Sequence, residues 1–375
     1  MPYWRLSGFY FFYFASLGVL IPYWGLYLKS LGFTAAAIGT MMAIIMATKI
    51  ISPNIWGWVA DHTGKRMAIV RLGGLLSVVA FAGVFISQQY WWLIVVMMLF
   101  SFFWNATLPQ FEATTFSHLG KHTHRYSSVR LWGSIGFIVA VWIIGQQLEG
   151  SKISYLPLVL MGIFITIWVS SLVVPEEAAS HLELTHEPLR RVLKRPEVLG
   201  LLIICFLMQM GHGPYYTFYS IYMQDYGYSL SFIGTLWALG VFAEVLVFMR
   251  MHKLVPKFGL KRLLIASLLL AASRWVIVAL FPMSMPLMVL AQILHAASFG
   301  VYHAVAIQLI HNYFVGKHQG KGQALYSSVS FGAGGAIGSL YAGYTWESFG
   351  TTTTFMIAAI VSLVAAYIAY KKIPA

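Results

Sequence analysis

Several ionisable side chains in this sequence stand where apolar ones are expected. Lys49, Glu112, Arg130, Glu244 and Arg274 lie inside long apolar runs, and His212, His295 and His303 add titratable rings. A charge at the centre of a membrane-spanning helix costs about 2.5–3.5 kcal/mol on insertion scales, so those that persist usually face a cavity or a partner. The chemistry open to such a set is proton exchange and recognition of a charged solute. Glu244 is a candidate proton carrier, its ionisation set by burial, by nearby cations and by an arriving solute; the plainer alternative is a fixed pair with Arg274 or Lys49. Arg130 offers a planar fork of donors for a carboxylate or hydroxyl, or a tie to Glu112 that seals one side. His295 can handle a proton or hydrogen-bond to Arg274 or Glu244. His303, eight residues further on, falls on about the same helical face. Gly211-His212-Gly213-Pro214 is expected to loosen its helix. Interrupted helices can mark transport sites, which makes His212 and Gln209 candidates, with a plain kink as the alternative. Arg71, near a helix start, is set aside as able to snorkel.

The elements that must hold these groups are membrane helices. Of the 375 residues 59% are hydrophobic and only 9% charged, against about 25% charged in soluble domains. At about 20 apolar residues per span, spans are expected at 4–28, 36–60, 67–87, 91–114, 129–147, 155–174, 198–223, 230–250, 263–281, 286–311, 322–345 and 351–370. On these bounds Glu112 closes span four and Arg130 opens span five. The first span follows Met1 too closely, and is too long, for a cleavable signal. Loop cations gather on one side: Lys65 and Arg66, Lys121 and Arg125, Arg190, Arg191, Lys194 and Arg195, then Arg250 to Arg262, Lys317, Lys321, Lys371 and Lys372. Only Lys29 and Lys152 fall opposite. The positive-inside rule then places both termini in the cytoplasm of an inner (plasma) membrane. The net charge of +13 thus reports topology and not a nucleic-acid face. His118, His122 and His124 crowd one loop without neighbouring cysteine or carboxylate ligands, so no metal is expected there.

The longest polar stretch, 175–197, includes Glu176, Glu177 and His186 and separates residues 1–174 from 198–375. The two halves repeat. Gly32-Phe33-Thr34 with Ile38-Gly39-Thr40 recurs as Gly227-Tyr228-Ser229 with Ile233-Gly234-Thr235, an offset of 195 that also pairs Gly64 with Gly259 and Lys49 with Glu244. Tyr126-Ser127-Ser128-Val129 recurs as Tyr326-Ser327-Ser328-Val329. The expectation is an all-α integral membrane fold of twelve helices in two six-helix, pseudo-symmetric bundles.

Between spans two and three, Gly57, Asp61, Gly64, Lys65 and Arg66 form a pattern similar to the GxxxD-x-x-G-x-[KR] loop of the major facilitator superfamily. Within that superfamily the buried charges resemble the lactose permease branch of oligosaccharide–proton symporters. Arg130-Leu131-Trp132-Gly133 with Gly136 looks like the branch's span-five substrate arginine and small-residue face. By the same resemblance Glu112 stands for a substrate carboxylate, and Glu244, Arg274 and His295 stand for groups that couple protons and contact sugar. Two positions depart from it: Ser298 replaces the proton-carrying carboxylate, and Phe137 the stacking tryptophan. The phenylpropionate-permease group is more similar, through Phe242-Ala243-Glu244-Val245, Ser273-Arg274-Trp275, Gln292-Ile293-Leu294-His295 with His303, and His212 before Tyr215-Tyr216. What this implies is proton-coupled import of an aromatic or other organic acid by alternating access. Arg130, Glu112, Lys49, His212, Gln209 and His303 are then candidate solute contacts. The alternatives are a sugar or nucleoside symporter, a drug or metabolite exporter, and a membrane sensor without transport. Span five lacks the Gly-Pro motif usual in antiporters of the superfamily. No nucleotide loop, HExxH or nucleophile elbow points to an enzyme. No cofactor is expected; the expected partners are a small solute, protons and the lipid bilayer, with the chain a monomer.

Overall fold

A computed structural model describes residues 1–120, 122, 125–176 and 189–374, with only the backbone at 150, 151, 189 and 317. Lys121, His124, Glu177 and His186, named above, lie outside the described residues. The described chain is helical. Eleven helices among the described residues are long and apolar enough to cross a membrane: α1 (Tyr3–Ser30), α2 (Ala35–Thr63), α3 (Arg66–Phe85), α4 (Tyr90–Leu119), α5 (Tyr126–Gln147), α6 (Lys152–Leu172), α7 (Pro196–Asp225), α8 (Leu230–Phe248), α9 (Leu260–Leu280), α10 (Met285–Tyr313) and α12 (Thr351–Lys372). A twelfth, α11 (319–348), is equally long, but Gly332, Gly334, Gly335 and Gly338 make it less apolar. Each expected span is therefore present as a helix, and most overrun the apolar stretch by several residues.

The sequence repeat is also a repeat of local structure. Thr34 Oγ1 accepts from the Ala37 N–H and caps α2, while Ser229 Oγ accepts from the Phe232 N–H and caps α8. Both are side-chain N-caps, which satisfy one of the orphan donors of a helix start. Gly32 and Gly227 precede them at φ +86° and +85°, and Gly64 and Gly259 follow at +68° and +77°. Glycine reaches that left-handed region without steric cost.

The chain divides into two compact units, Met1–His181 with Ser229–Ala238, and Leu182–Tyr228 with Leu239–Ala375. Inside the first, Gly145 and Gly234 lie so close that a Cβ on Gly234 would meet Tyr23 Oη at 2.5 Å and Val141 O at 2.7 Å. The Ser231 N–H also donates to Glu149 there. In the same unit α1 lies along α5, where a Cβ on Gly18 would come within 2.6 Å of Phe137 O. Inside the second unit Gly213 of α7 meets Gly338 of α11, and a Cβ on Gly213 would fall 2.5 Å from the Gly338 carbonyl oxygen. α7 runs unbroken through Gly211-His212-Gly213-Pro214. The run does not interrupt the helix, and its Gly213 provides a seat for α11.

Two features have no counterpart in the expected spans. α10 and α11 each contain a π-helical segment, Ala296–Val301 and Ser328–Gly334. Such segments insert one extra residue and often occur at functional sites.

Candidate functional site

The second unit holds a cluster of buried polar groups. Arg274 on α9 is fully buried. Its Nε donates to Ala291 O (2.8 Å) and its Nη1 to His295 Nδ1 (3.1 Å). The guanidinium carbon lies 4.2 Å and 4.5 Å from the ring centroids of Tyr215 and Trp275. Arginine only donates hydrogen bonds, so His295 Nδ1 accepts and the neutral ring carries its proton on Nε2. That nitrogen lies 3.5 Å from Glu244 Oε2. The Glu244–Arg274–His295 set named from sequence thus forms one chain across α8, α10 and α9, with the histidine between acid and base. A Cβ on Gly300 would lie 3.0 Å from Glu244 Cγ, so the glycine leaves room for the carboxylate. Ser298, at the position where the resemblance leads one to look for an acid, turns its hydroxyl back to His295 O at 3.4 Å.

His212 on α7 lies edge-on to Trp275, with centroids 4.9 Å apart, and 6.2 Å from the His295 ring. Its Nδ1 donates to Met208 O at 2.8 Å, which leaves Nε2 of the neutral ring as an acceptor. Among the described residues, His212 Nε2, Gln209 Nε2 and Arg274 Nη2 are buried without a hydrogen-bond partner. A buried orphan of this kind calls for water or a ligand. Together the three present two donors and one acceptor. Tyr215 donates to Gln292 Oε1 at 2.8 Å and supports the cluster from α7.

His303 lies further along α10. Across the π segment the rings of His295, Phe299 and His303 stack at 5.2 Å and 5.7 Å, with 3° between planes at each step. His303 Nδ1 is hydrogen-bonded to the Tyr326 hydroxyl (2.8 Å).

The first unit holds the other charges. α4 continues to Leu119 and α5 starts at Tyr126. Glu112 therefore lies about two turns before its helix end, and Arg130 a turn inside the next; neither sits at the terminus expected for it. The helices overrun because backbone groups keep pairing beyond the apolar core. Among the described residues no ion pair joins Glu112 to Arg130. Glu112 Oε1 accepts from the Tyr126 hydroxyl at 3.1 Å, and the Arg130 guanidinium lies 3.7 Å from the Phe14 ring centroid. Gly133 makes that placement possible, since a Cβ there would meet Arg130 Nη1 at 2.6 Å. Phe9, Phe111, Tyr13 and Trp104 build an aromatic wall nearby on α1 and α4. Lys49 is half-buried on α2, one residue past Thr48, which binds Ser101 and Asn105 of α4.

At the loop motif, Gly64 ends α2 and Arg66 reaches Asp61 at 3.6 Å. Gly57 is not forced by packing, because a Cβ would find only Gln110 Nε2 at 3.7 Å. Beside the motif, the Glu176 carboxylate accepts the Met67 N–H at 3.1 and 3.2 Å and caps α3. Arg71, set aside as a snorkelling residue, instead donates to Ser171 O and Val174 O. Arg5 reaches Val173 O, and His118 pairs with Pro175 O. The end of α6 is thus strapped from three sides.

Tyr126, Tyr215, Trp275 and Gln292 were not singled out as site residues. For Tyr126 a signal was available: it and Tyr326 are partners in the repeat, and each binds a titratable side chain of the span before it.

Residues 3–357 match the MFS_1-like family. Over 384 aligned positions the chain is 28% identical to the "Probable 3-phenylpropionic acid transporter" of Escherichia coli strain K12, covering 99% of this chain and 98% of that one. It is 25% identical to the "Maltose permease" of Geobacillus stearothermophilus, over 95% and 91% of the two chains. Among solved structures, the nucleoside transporter NupG superposes with a TM-score of 0.81 at 16% identity, covering 99% of each chain. A bacterial homologue of the lysosomal transporter Spinster does so at 0.77 and 15%, over 99% of this chain and 96% of that one. These two likenesses concern the fold. The chain belongs to the MFS_1-like family of the major facilitator superfamily and is a multi-pass secondary transporter.

Proposed function

We propose that this transporter is a proton-coupled symporter of a small organic acid, with an aromatic acid such as phenylpropionate as the leading substrate. One observation carries the proton assignment: the Arg274–His295–Glu244 chain, with Arg274 and His295 buried and Glu244 partly exposed. Arg274 stays charged and donates to His295 Nδ1, so a second proton on that ring would break the Arg274 hydrogen bond. Glu244 is the member that can take a proton without losing it. Protonated, it no longer needs the His295 N–H; ionised, it does. With Ser298 in place of the branch's acid, Glu244 is the carboxylate left in the chain for this work. The guanidinium groups of Arg130 and Arg274 suit an anionic solute, and the aromatic walls around them suit an aryl group. The name of the Escherichia coli relative, aligned over nearly the whole chain, supports the substrate class. A sugar or nucleoside is the second reading, supported by the maltose permease relative.

The test is external pH in proteoliposomes containing the purified protein, on adding phenylpropionate, maltose or a nucleoside in turn. External alkalinisation with phenylpropionate, abolished by Glu244→Gln, is the expected result. Alkalinisation with another solute would replace the substrate class and keep the coupling. Concentrative uptake that persists in Glu244→Gln would remove the proton role.

A further inference from the structure

We infer that the connection between α8 and α9 binds an anionic phospholipid. The chain between them forms a short amphipathic helix, Met251–Phe258. Its inner side rests on the second unit: Met251 is buried, and Leu254 and Val255 pack against the core cluster that holds Leu264 and Leu309. Its outer side, with the end of α8, encloses a groove of about 650 Å³ lined by Leu246, Val247, Arg250, Lys253, Leu254, Lys257 and Phe258. Arg250, Lys253 and Lys257 are spaced i, i+3, i+7, so they share one helical face. All three are exposed, and no ion pair satisfies them among the described residues. Lys257 Nζ lies 5.2 Å from the Phe258 ring centroid, so cation and apolar wall are contiguous.

The occupant follows from this pairing of chemistries. Three unneutralised cations call for an anion such as a phosphodiester. The apolar wall continues onto the outward Phe242 and Leu246 of α8 and Met249 just past its end, which are 53%, 48% and 65% exposed. A free phosphate has no use for that wall; a glycerophospholipid places its headgroup on the cations and its acyl chains along α8. Basic pockets at the membrane surface bind anionic headgroups in this way.

The experiment is native mass spectrometry of the full chain with phosphatidylglycerol or phosphatidylethanolamine in mixed micelles. Wild type is compared with the triple variant Arg250→Gln/Lys253→Gln/Lys257→Gln. An Arg190→Gln/Arg191→Gln/Lys194→Gln variant removes the same charge elsewhere. At about fivefold per near-surface cation, the groove variant is expected to bind phosphatidylglycerol about a hundredfold more weakly, while the control matches wild type. Equal losses in both variants, or equal retention of the two lipids by wild type, would overturn the site. Inorganic phosphate that displaces phosphatidylglycerol at millimolar concentration would show a free-anion pocket and overturn the lipid assignment. So would an acidic peptide that outcompetes the lipid.

Discussion

Replacing Gly213 by alanine separates two explanations of the Gly211-His212-Gly213-Pro214 run. If these glycines only made α7 pliant, alanine at either position would stiffen the helix by about 0.5–1 kcal/mol, with similar effects. The packing predicts opposite outcomes. At Gly211 a Cβ meets Ala358 O and Ser362 Oγ at 3.4 Å, an ordinary contact. Gly211→Ala is therefore expected to be neutral or slightly stabilising. At Gly213 the Cβ falls 2.5 Å from Gly338 O, so α7 and α11 must part by about 1 Å. Overpacking of that kind costs about 1–3 kcal/mol, enough to outweigh the helix-propensity gain. At about 2–4 °C per kcal/mol for a unit of this size, a drop of about 5 °C in Tm is expected. The chain supplies its own reporter: Cys205, the single cysteine, is buried on α7. A thiol-reactive fluorogenic dye will report unfolding when Cys205 becomes accessible. Equal midpoints for the two variants would refute the packing argument, and a lower midpoint for Gly211→Ala would reverse it.

Three further outcomes follow from the site. Tyr126→Phe leaves Glu112 Oε1 without its 3.1 Å donor, which should cost about 1–3 kcal/mol as a lower Tm in the same thiol assay and, if Glu112 contacts solute, a roughly tenfold weaker Kd by calorimetry. Glu244→Gln imitates the protonated acid, so counterflow exchange should persist while uptake loses its dependence on external pH; a pH-dependent variant would count against Glu244. Arg71→Leu removes the hydrogen bonds to Ser171 O and Val174 O and should free the end of α6, read as faster amide exchange at residues 171–176 with exchange in α7 unchanged.

The spans were legible because hydrocarbon thickness sets a length that any sufficiently apolar run must meet. The repeat was legible too, since Thr34 and Ser229 cap helices and Gly32 and Gly227 take positive φ at matched positions. Helix ends were less so: hydropathy marks where lipid stops, whereas backbone pairing carries α4 on to Leu119. That difference moved Glu112 from a helix terminus to its interior. In the site, the rarity of charge in apolar runs picked out Glu244, Arg274 and His295, but not the order in which they bind. That His295 lies between the other two depends on the turn of α10, and the π segment beside it leaves no mark in composition. Arg71 was set aside because a cation near a helix start has two outlets, water or carbonyls, and sequence does not distinguish them. Tyr215 and Trp275 stand in the motifs of the resemblance, but their place against the Arg274 guanidinium is not legible, since an interfacial ring and a ring under an arginine have the same letter.

The π segment at Ala296–Val301 also gives α10 an adjustable register. A π turn holds one residue more than its α counterpart, and that surplus can be passed along a helix without unfolding it. Handing it on would turn everything beyond by about 100° and slide it by about 1.5 Å. His295 and His303 lie on opposite sides of the surplus, so the stack through Phe299 exists only while it stays between them. α10 therefore resembles a screw with a slipped thread, whose two ends can be indexed against each other one residue at a time.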